Sequence, residues 1–335
     1  MSSPAHIAVV TGGAGFIGSH MVDLLLSRGF EVRVVDNLVG GRLDNLKHQQ
    51  HNPNLHVEIA DIRDKAPSDP VFAGARYLFH FAGIGDIVPS IERPLDYVGA
   101  NVMGTVAALE GARAAGVRKF VYAASSSCYG LSDQLPTTEQ APIRTEYPYA
   151  LSKFMGEEAV LHWGKVYRLP VVSIRIFNAY GPRSKTTGAY GAVFGVFLAQ
   201  KLKNKPYTVV GDGTQTRDFV FVTDLARAFL ACAETPHAQT IYNVGAGRPQ
   251  SVNRLVELLG GEVTYVPRRP SEPDCTWADI GKITRETGWS PQVSFEEGVA
   301  EMLRHIDYWR EAPVWDPASI EKATRAWFEA LGDRG

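Results

Sequence analysis

The sequence predicts an α/β protein, a doubly wound parallel sheet followed by a smaller, discontinuous α/β lobe toward the C-terminus. Three observations predict it: strand-like and helix-like runs alternate, a glycine-rich turn joins the first pair, and the texture changes beyond about Ala179. Residues 6–11 are a short apolar run rich in β-branched side chains, as in a strand buried on both faces. Residues 12–18 are glycine-rich, and 21–27 have helical spacing that stops before Gly29, a C-cap. Residues 31–35 read as a second strand ending at Asp36, and 55–59, 77–81, 120–124 and 171–177 are strand-like in turn. Such alternation implies parallel pairing with right-handed crossovers. Thereafter Pro182, Pro206, Pro236, Pro249, Pro267, Pro270 and Pro273 punctuate shorter elements. Residues 219–233 and 241–245 are expected to return to the first sheet. The first unit is therefore 1–178 joined by about 219–247, and the second is mainly 179–335.

Composition narrows the function. The chain has 335 residues, 45% of them hydrophobic, enough for a core without metal or disulfide. Thirty-four basic residues against 36 acidic ones leave a net charge of −2, which offers no bulk attraction to nucleic acid or to an anionic membrane. Cys128, Cys232 and Cys275 are odd in number and far apart, which suits a reducing compartment better than a disulfide framework or zinc site. Residues 1–22 carry no Lys, Arg, Asp or Glu, yet they lack a basic start, and glycines break the apolar run. The uncharged stretch 186–200 is too short to span a bilayer. A soluble, cytoplasmic protein without metal is expected. His48, His51 and His56 read as solvated loop residues, and Phe194, Phe197 and Leu198 as core or interface.

Gly12, Gly15 and Gly18 follow a strand and open a helix. Glycine there permits a tight turn and lets backbone N–H groups approach a pyrophosphate at the positive end of the helix. Asp36 lies 18 residues after Gly18 at the end of strand two, where a carboxylate accepts the adenosine ribose hydroxyls. It would repel a 2′-phosphate, so NAD is favoured over NADP, although Arg42 lies nearby. Asp61 and Ile62 are placed to hold adenine or simply to end a strand.

A second cluster concerns proton transfer. Ser125, Ser126 and Ser127 follow a strand, and Tyr149 and Lys153 lie one helical turn apart. Lowering a phenol by about three units costs roughly 4 kcal/mol, a scale that an ammonium in a desolvated cleft can supply. Ser125 is placed to hydrogen-bond the hydroxyl that loses its proton.

The chain resembles the extended short-chain dehydrogenase/reductase family, in its nucleotide-sugar epimerase/dehydratase branch. The resemblance runs from about residue 6 to about 310: T-G-G-A-G-F-I-G (11–18), D-N-L (36–38), H-F-A-G (80–83) and N-V-M-G-T (101–105). It continues through S-S-S-C-Y-G (125–130), Y-A-L-S-K (149–153), R-I-F-N-A-Y-G-P-R (175–183), G-D-G-T-Q-T-R-D-F-V-F-V-T-D (211–224) and N-V-G (243–245). It implies a Rossmann-like fold with bound NAD. Tyr149 would be the base, Lys153 its electrostatic partner and Ser125 a substrate-holding hydroxyl. It also implies cofactor contacts from Gly12, Gly15, Phe16, Ile17, Gly18, Asp36, Asn37, Gly40, Gly41, Asp61 and Ile62. Further along come Phe81, Ala82, Gly83, Asn101, Tyr149, Lys153 and Phe177. A nucleotide sugar, UDP-linked by resemblance, would meet Asp86, Ser125, Ser126, Tyr149, Asn178, Ala192, Val193 and Thr208, and then Arg217, Arg269, Glu272 and Thr276. For Arg217 the alternative is a surface ion pair with Asp218 or Asp224.

The branch includes dehydratases, which use an Asp-Glu pair where this chain has Ser126 and Ser127. Serine is no general acid at neutral pH, so 4-epimerisation through a 4-keto sugar is the expected reaction. Thr276 resembles the position whose size limits the sugar's 2-substituent, and a threonine there would admit an N-acetylhexosamine as well as a hexose. A carboxylate at Asp86 would oppose a glucuronate unless Lys185 compensates, the alternative being that either residue is simply solvated. Glucuronate epimerase, dehydratase and 4-keto reductase chemistry remain alternatives, as does a catalytically silent NAD or sugar-nucleotide sensor. The family implies a homodimer. The tail 313–331 departs from the branch, and Trp315, Ile320, Ala323, Trp327 and Leu331 suggest an amphipathic helix.

Overall fold

The computed structural model describes residues 6–184 and 192–332. Its centre is a seven-stranded parallel sheet in the order Thr240–Val244, Val171–Ile176, Lys119–Ser125, Ala75–His80, Ile7–Thr11, Glu31–Asp36, Leu55–Ile59. The first strand lies between the second and fourth, so the direction of winding reverses beside it. A crevice opens at the strand ends there, where open α/β sheets bind ligands.

Alternation along the strands feeds two cores. Ala8 and Val10 face Met21, Leu25 and Phe229, while Val9 faces Leu78, Leu109 and Val160. Helices Phe16–Ser27 and Val222–Glu234 pack together over the first core, and Gly104–Ala115 with Pro148–Tyr167 over the second. The first helix starts earlier than its apolar spacing suggested, because Gly15 already serves as its N-cap. The expected element at 219–233 divides into a strand, Phe219–Phe221, and a helix. The strand pairs with Asn178–Tyr180 instead of with the large sheet.

Beyond it, Tyr207–Val210 pairs in parallel with Val263–Val266, and Thr216–Arg217 antiparallel with Gln250–Ser251. These short elements surround an aromatic cluster of Tyr180, Phe194, Phe197, Phe219, Phe295 and Trp309. Phe194, Phe197 and Leu198 are core residues, as expected. The tail forms helix Pro317–Leu331, closed at its start by a capping box between Asp316 and Ser319. Among the described residues no helix is long and apolar enough to cross a membrane.

Candidate active site

Thr11 ends the first strand and the chain turns at Gly12. Its φ of +70° and its position explain the glycine: a Cβ would stand 2.7 Å from Ala82 N. A Cβ on Gly18 would run into the Gly12 carbonyl, so the helix packs directly onto the turn. No side chain caps this helix and no acid lies in its first turn. The N–H groups of that turn, those of Phe16 and Ile17 included, are oriented to receive an anion.

Asp36 is buried at the end of strand two. Its carboxylate accepts Ala14 N–H at 2.9 Å and Leu38 N–H at 2.8 Å. Burial pushes its carboxyl up, and those N–H groups with that of Gly15 pull it back. Gly41 lies against this carboxylate, and Gly40 faces open space. Asn37 donates to Asp61 at 2.9 Å, and the hydrogen bonds of Arg63 hold the Asp61 carboxyl well below the usual range. Ile62 is buried beside them. An uncapped helix end beside a buried carboxylate fits a dinucleotide with free ribose hydroxyls. Arg42 turns elsewhere, 3.3 Å from Asp44 and over the Tyr308 ring.

Ser125 ends strand Lys119–Ser125. Its hydroxyl donates to Ser127 Oγ at 3.0 Å, accepts Ser127 N–H at 3.2 Å and hydrogen-bonds the Tyr149 phenol. Helix Pro148–Tyr167 begins with proline at its first position and so presents Tyr149 at its mouth. Lys153 Nζ lies 4.5 Å over the Tyr122 ring and near Gly83. Ser125, Tyr149 and Lys153 are thus drawn to one cleft.

Their charge states differ from expectation. Burial pushes the Tyr149 phenol above its ordinary value; the Ser125 hydrogen bond opposes this, while the Asp86 charge adds to it. Burial likewise drives Lys153 down to about 7, against the pull of Glu157. A dry site penalises each charge singly, so the fold alone does not ionise the phenol.

Asn101 ties the two halves of this site together from a one-turn π segment, Gly99–Met103. Its side chain accepts Ile84 N–H at 2.8 Å and donates to Ile84 O at 3.0 Å and to Ser152 Oγ at 2.9 Å. Ser152 donates to the Tyr149 carbonyl. Behind it, His80 is bonded to Thr11 at 2.6 Å and to Thr105 at 3.0 Å, and burial drives its imidazole down to about 3. Phe81 N–H continues the sheet to Thr11 O, Ala82 follows, and Phe177 is buried against Tyr129.

Across the cleft, Arg217 and Arg269 both hold Glu272, each at 2.9 Å to Oε1. Burial works against the Glu272 charge, but Arg269 and Arg217 outweigh it and keep its carboxyl below the usual range. The surface-pair alternative for Arg217 fails. Asp218 accepts the N–H groups of Ala246, Gly247 and Ala278, and Asp224 pairs with Arg227. Thr276 donates to Asn178 Oδ1 at 2.7 Å. Ala192 and Val193 begin helix Val193–Leu202. The Thr208 hydroxyl is buried and accepts from Gln200 at 2.8 Å, so it is engaged inside the lobe. Ser126 is half-buried, and Lys185 lies outside the described residues.

Sequence reasoning missed the aromatic surround. The Tyr147 ring stacks on Tyr149 at 6.4 Å and the Tyr97 ring meets it edge-on at 6.4 Å. Tyr147 also bonds Ser127, while burial pushes its phenol up to about 12. The Y-P-Y run at 147–149 was the available signal. Cys128 beside the serines is buried, its thiol pushed up to about 12, and so is no nucleophile.

Comparison with known proteins identifies the family and supports the fold. The model of the "NAD dependent epimerase/dehydratase family" matches residues 8–245. A putative UDP-glucose 4-epimerase of Methanocaldococcus jannaschii is 36% identical, over 88% of this chain and 96% of that protein. The UDP-N-acetylglucosamine 4-epimerase from Methanobrevibacter ruminantium, solved with UDP-N-acetylmuramic acid, superposes with a TM-score of 0.86 at 29% identity. That match covers 91% of this chain and 99% of the other. The UDP-glucuronic acid 4-epimerase from Bacillus cereus, solved with UDP-glucuronic acid and NAD, gives 0.84 at 29% identity over 90% and 99%.

Proposed function

The chain belongs to the NAD dependent epimerase/dehydratase family, and from that premise we propose that it inverts C4 of a UDP-linked hexose or N-acetylhexosamine. NAD is its cofactor. Gly12, Gly15, Phe16, Ile17 and Gly18 would hold the pyrophosphate, and Asp36, Asn37, Gly40, Gly41, Asp61 and Ile62 the adenosine. Phe81, Ala82, Gly83, Asn101, Phe177 and Lys153 would enclose the nicotinamide end. Bound NAD supplies a reversible hydride store, removal from one face of C4 and return to the other through a transient 4-keto sugar.

Tyr149 acts as the phenolate: its own proton leaves to solvent before the reaction, and the Lys153 ammonium, together with the positive charge that oxidised NAD would bring, stabilises the resulting anion. The phenolate takes the C4 hydroxyl proton while Ser125 hydrogen-bonds at the same oxygen, and it returns that proton after inversion. Arg217 and Arg269 bind the diphosphate, which concentrates binding energy away from the sugar and leaves it free to turn. Asp86, whose charge reaches Tyr149, opposes a carboxylated sugar and supports an uncharged one.

One observation carries the reading: Ser125 hydrogen-bonds the buried Tyr149, Lys153 lies one turn further along the same helix beside Gly83, and serines rather than acids stand at 126 and 127. NMR of the purified protein with UDP-glucose and UDP-N-acetylglucosamine, without added nicotinamide, tests it. The C4 epimers should appear; a 4-keto-6-deoxy product, or no turnover, would refute the reading.

We also assign 1–178 with 219–247 to the NAD-binding part, the remainder mainly to the sugar-nucleotide lobe, and the protein to the cytoplasm. A homodimer is supported by exposed Leu151 and Met155 on helix Pro148–Tyr167, next to exposed Met103. Leu151→Glu should halve the mass seen by light scattering, and an unchanged mass would count against that interface.

A further inference from the structure

Helix Pro317–Leu331 touches both sides of the substrate cleft. It packs against helix Ile87–Glu92, which Asp86 precedes, and Ile320 packs with Val210 and Val266 of the opposite lobe. Trp327, on the same buried face, is 4% exposed. Its indole N–H donates to Pro270 O at 2.8 Å, the Arg269 guanidinium lies 5.2 Å over its ring, and the Tyr147 ring is 6.1 Å away. Arg269 in turn forks onto Glu272, and Tyr147 stacks on Tyr149.

Any bulky apolar residue could seat the helix. This indole additionally engages its N–H and its π face with the segment that carries Arg269, and a cation over a dry aromatic face is firmly held. We propose that Trp327 is a positioning residue for substrate. It fixes Arg269 for the diphosphate and, through Tyr147, the wall beside Tyr149, which makes the C-terminal helix part of the active site. The proposal rests on reading the cleft as a UDP-sugar site.

UDP binding by calorimetry, which needs no turnover, tests it with Trp327→Leu and Trp327→Phe in the full chain. The leucine variant keeps apolar bulk without N–H or π face, and should bind UDP about tenfold more weakly, with a matching rise in KM and unchanged NAD content. The phenylalanine variant retains the ring face and should stay within about threefold of wild type. A leucine variant that melts lower yet binds UDP like wild type would overturn the proposal and leave the epimerase reading intact. A wild type that binds UDP but epimerises nothing would do the reverse, and one that binds no UDP would end both. Should the leucine variant not fold, the indole N–H resonance of wild-type Trp327, assigned by its loss in the phenylalanine variant, decides. It should shift on saturation with UDP, and indifference would overturn the proposal.

Discussion

At the scale of single residues, the two ionisable groups at the centre of the site are held toward their neutral forms by burial: Lys153 near 7, and the Tyr149 phenol above its ordinary value. Between about 7 and the ordinary 10.5 of lysine, the unfolded chain holds a proton that the folded one releases. Lys153 therefore destabilises the fold fully at lower pH, and that cost fades as pH rises through this window. Lys153→Met should raise the Tm of the cofactor-free protein at pH 6.5 while lowering kcat about 10²-fold or more. A lower Tm would show that the lysine supports the fold. Tyr149→Phe should abolish turnover with NAD retained, and surviving activity would remove Tyr149 as the base. Gly12→Ala, strained at φ +70° and with its Cβ against Ala82 N, should lose NAD. Normal NAD content would contradict the assigned turn. These residues stood out in the sequence through their spacing taken together with the glycine turn, the serine-rich strand end and the family resemblance. Their charge states did not, because burial depends on Tyr97, Tyr122 and Tyr147 from three separate segments.

Elements explain how so few residues suffice. Helix Pro148–Tyr167 is tied to its surroundings by Asn101, which spans from Ile84 to Ser152, and by its own buried Glu157, which accepts from Ser173 and Arg175. Asn101→Ala strands buried partners and should cost about 2–3 kcal/mol of stability. It should also lower kcat with little change in KM for the nucleotide sugar; a pure stability loss with full kcat would restrict Asn101 to scaffolding. The sequence pattern located strands and the glycine turn because their periodicity is local. It could not foresee that 219–221 would pair with 178–180, nor that the tail would reach the cleft, since both depend on contacts made at long range. Helical spacing in 313–331 identified an apolar face, and only the fold supplied what that face covers.

On the scale of the whole molecule, the doubly wound sheet brings the ends of its first, second, fourth and fifth strands to one edge. Thr11, Asp36, His80 and Ser125 thereby become neighbours of a single groove, although they span more than a hundred positions in the chain. Two histidines are held toward their neutral forms: His20, half-buried and bonded to Pro182 O, lies near 4, and His80, buried between Thr11 and Thr105, near 3, both through burial first. Both folded values lie below the ordinary 6.5, so stability present above 6.5 is lost as pH falls toward those values. Thermal melts should show Tm dropping from pH 7 to pH 5, with a shallower drop in His20→Asn; a flat profile would contradict this assignment. The most direct test of the account follows the hydride itself. UDP-glucose carrying deuterium at C4 should yield UDP-galactose with the label still at C4 and no solvent hydrogen at C5. Label lost to water, or solvent hydrogen appearing at C5, would contradict it.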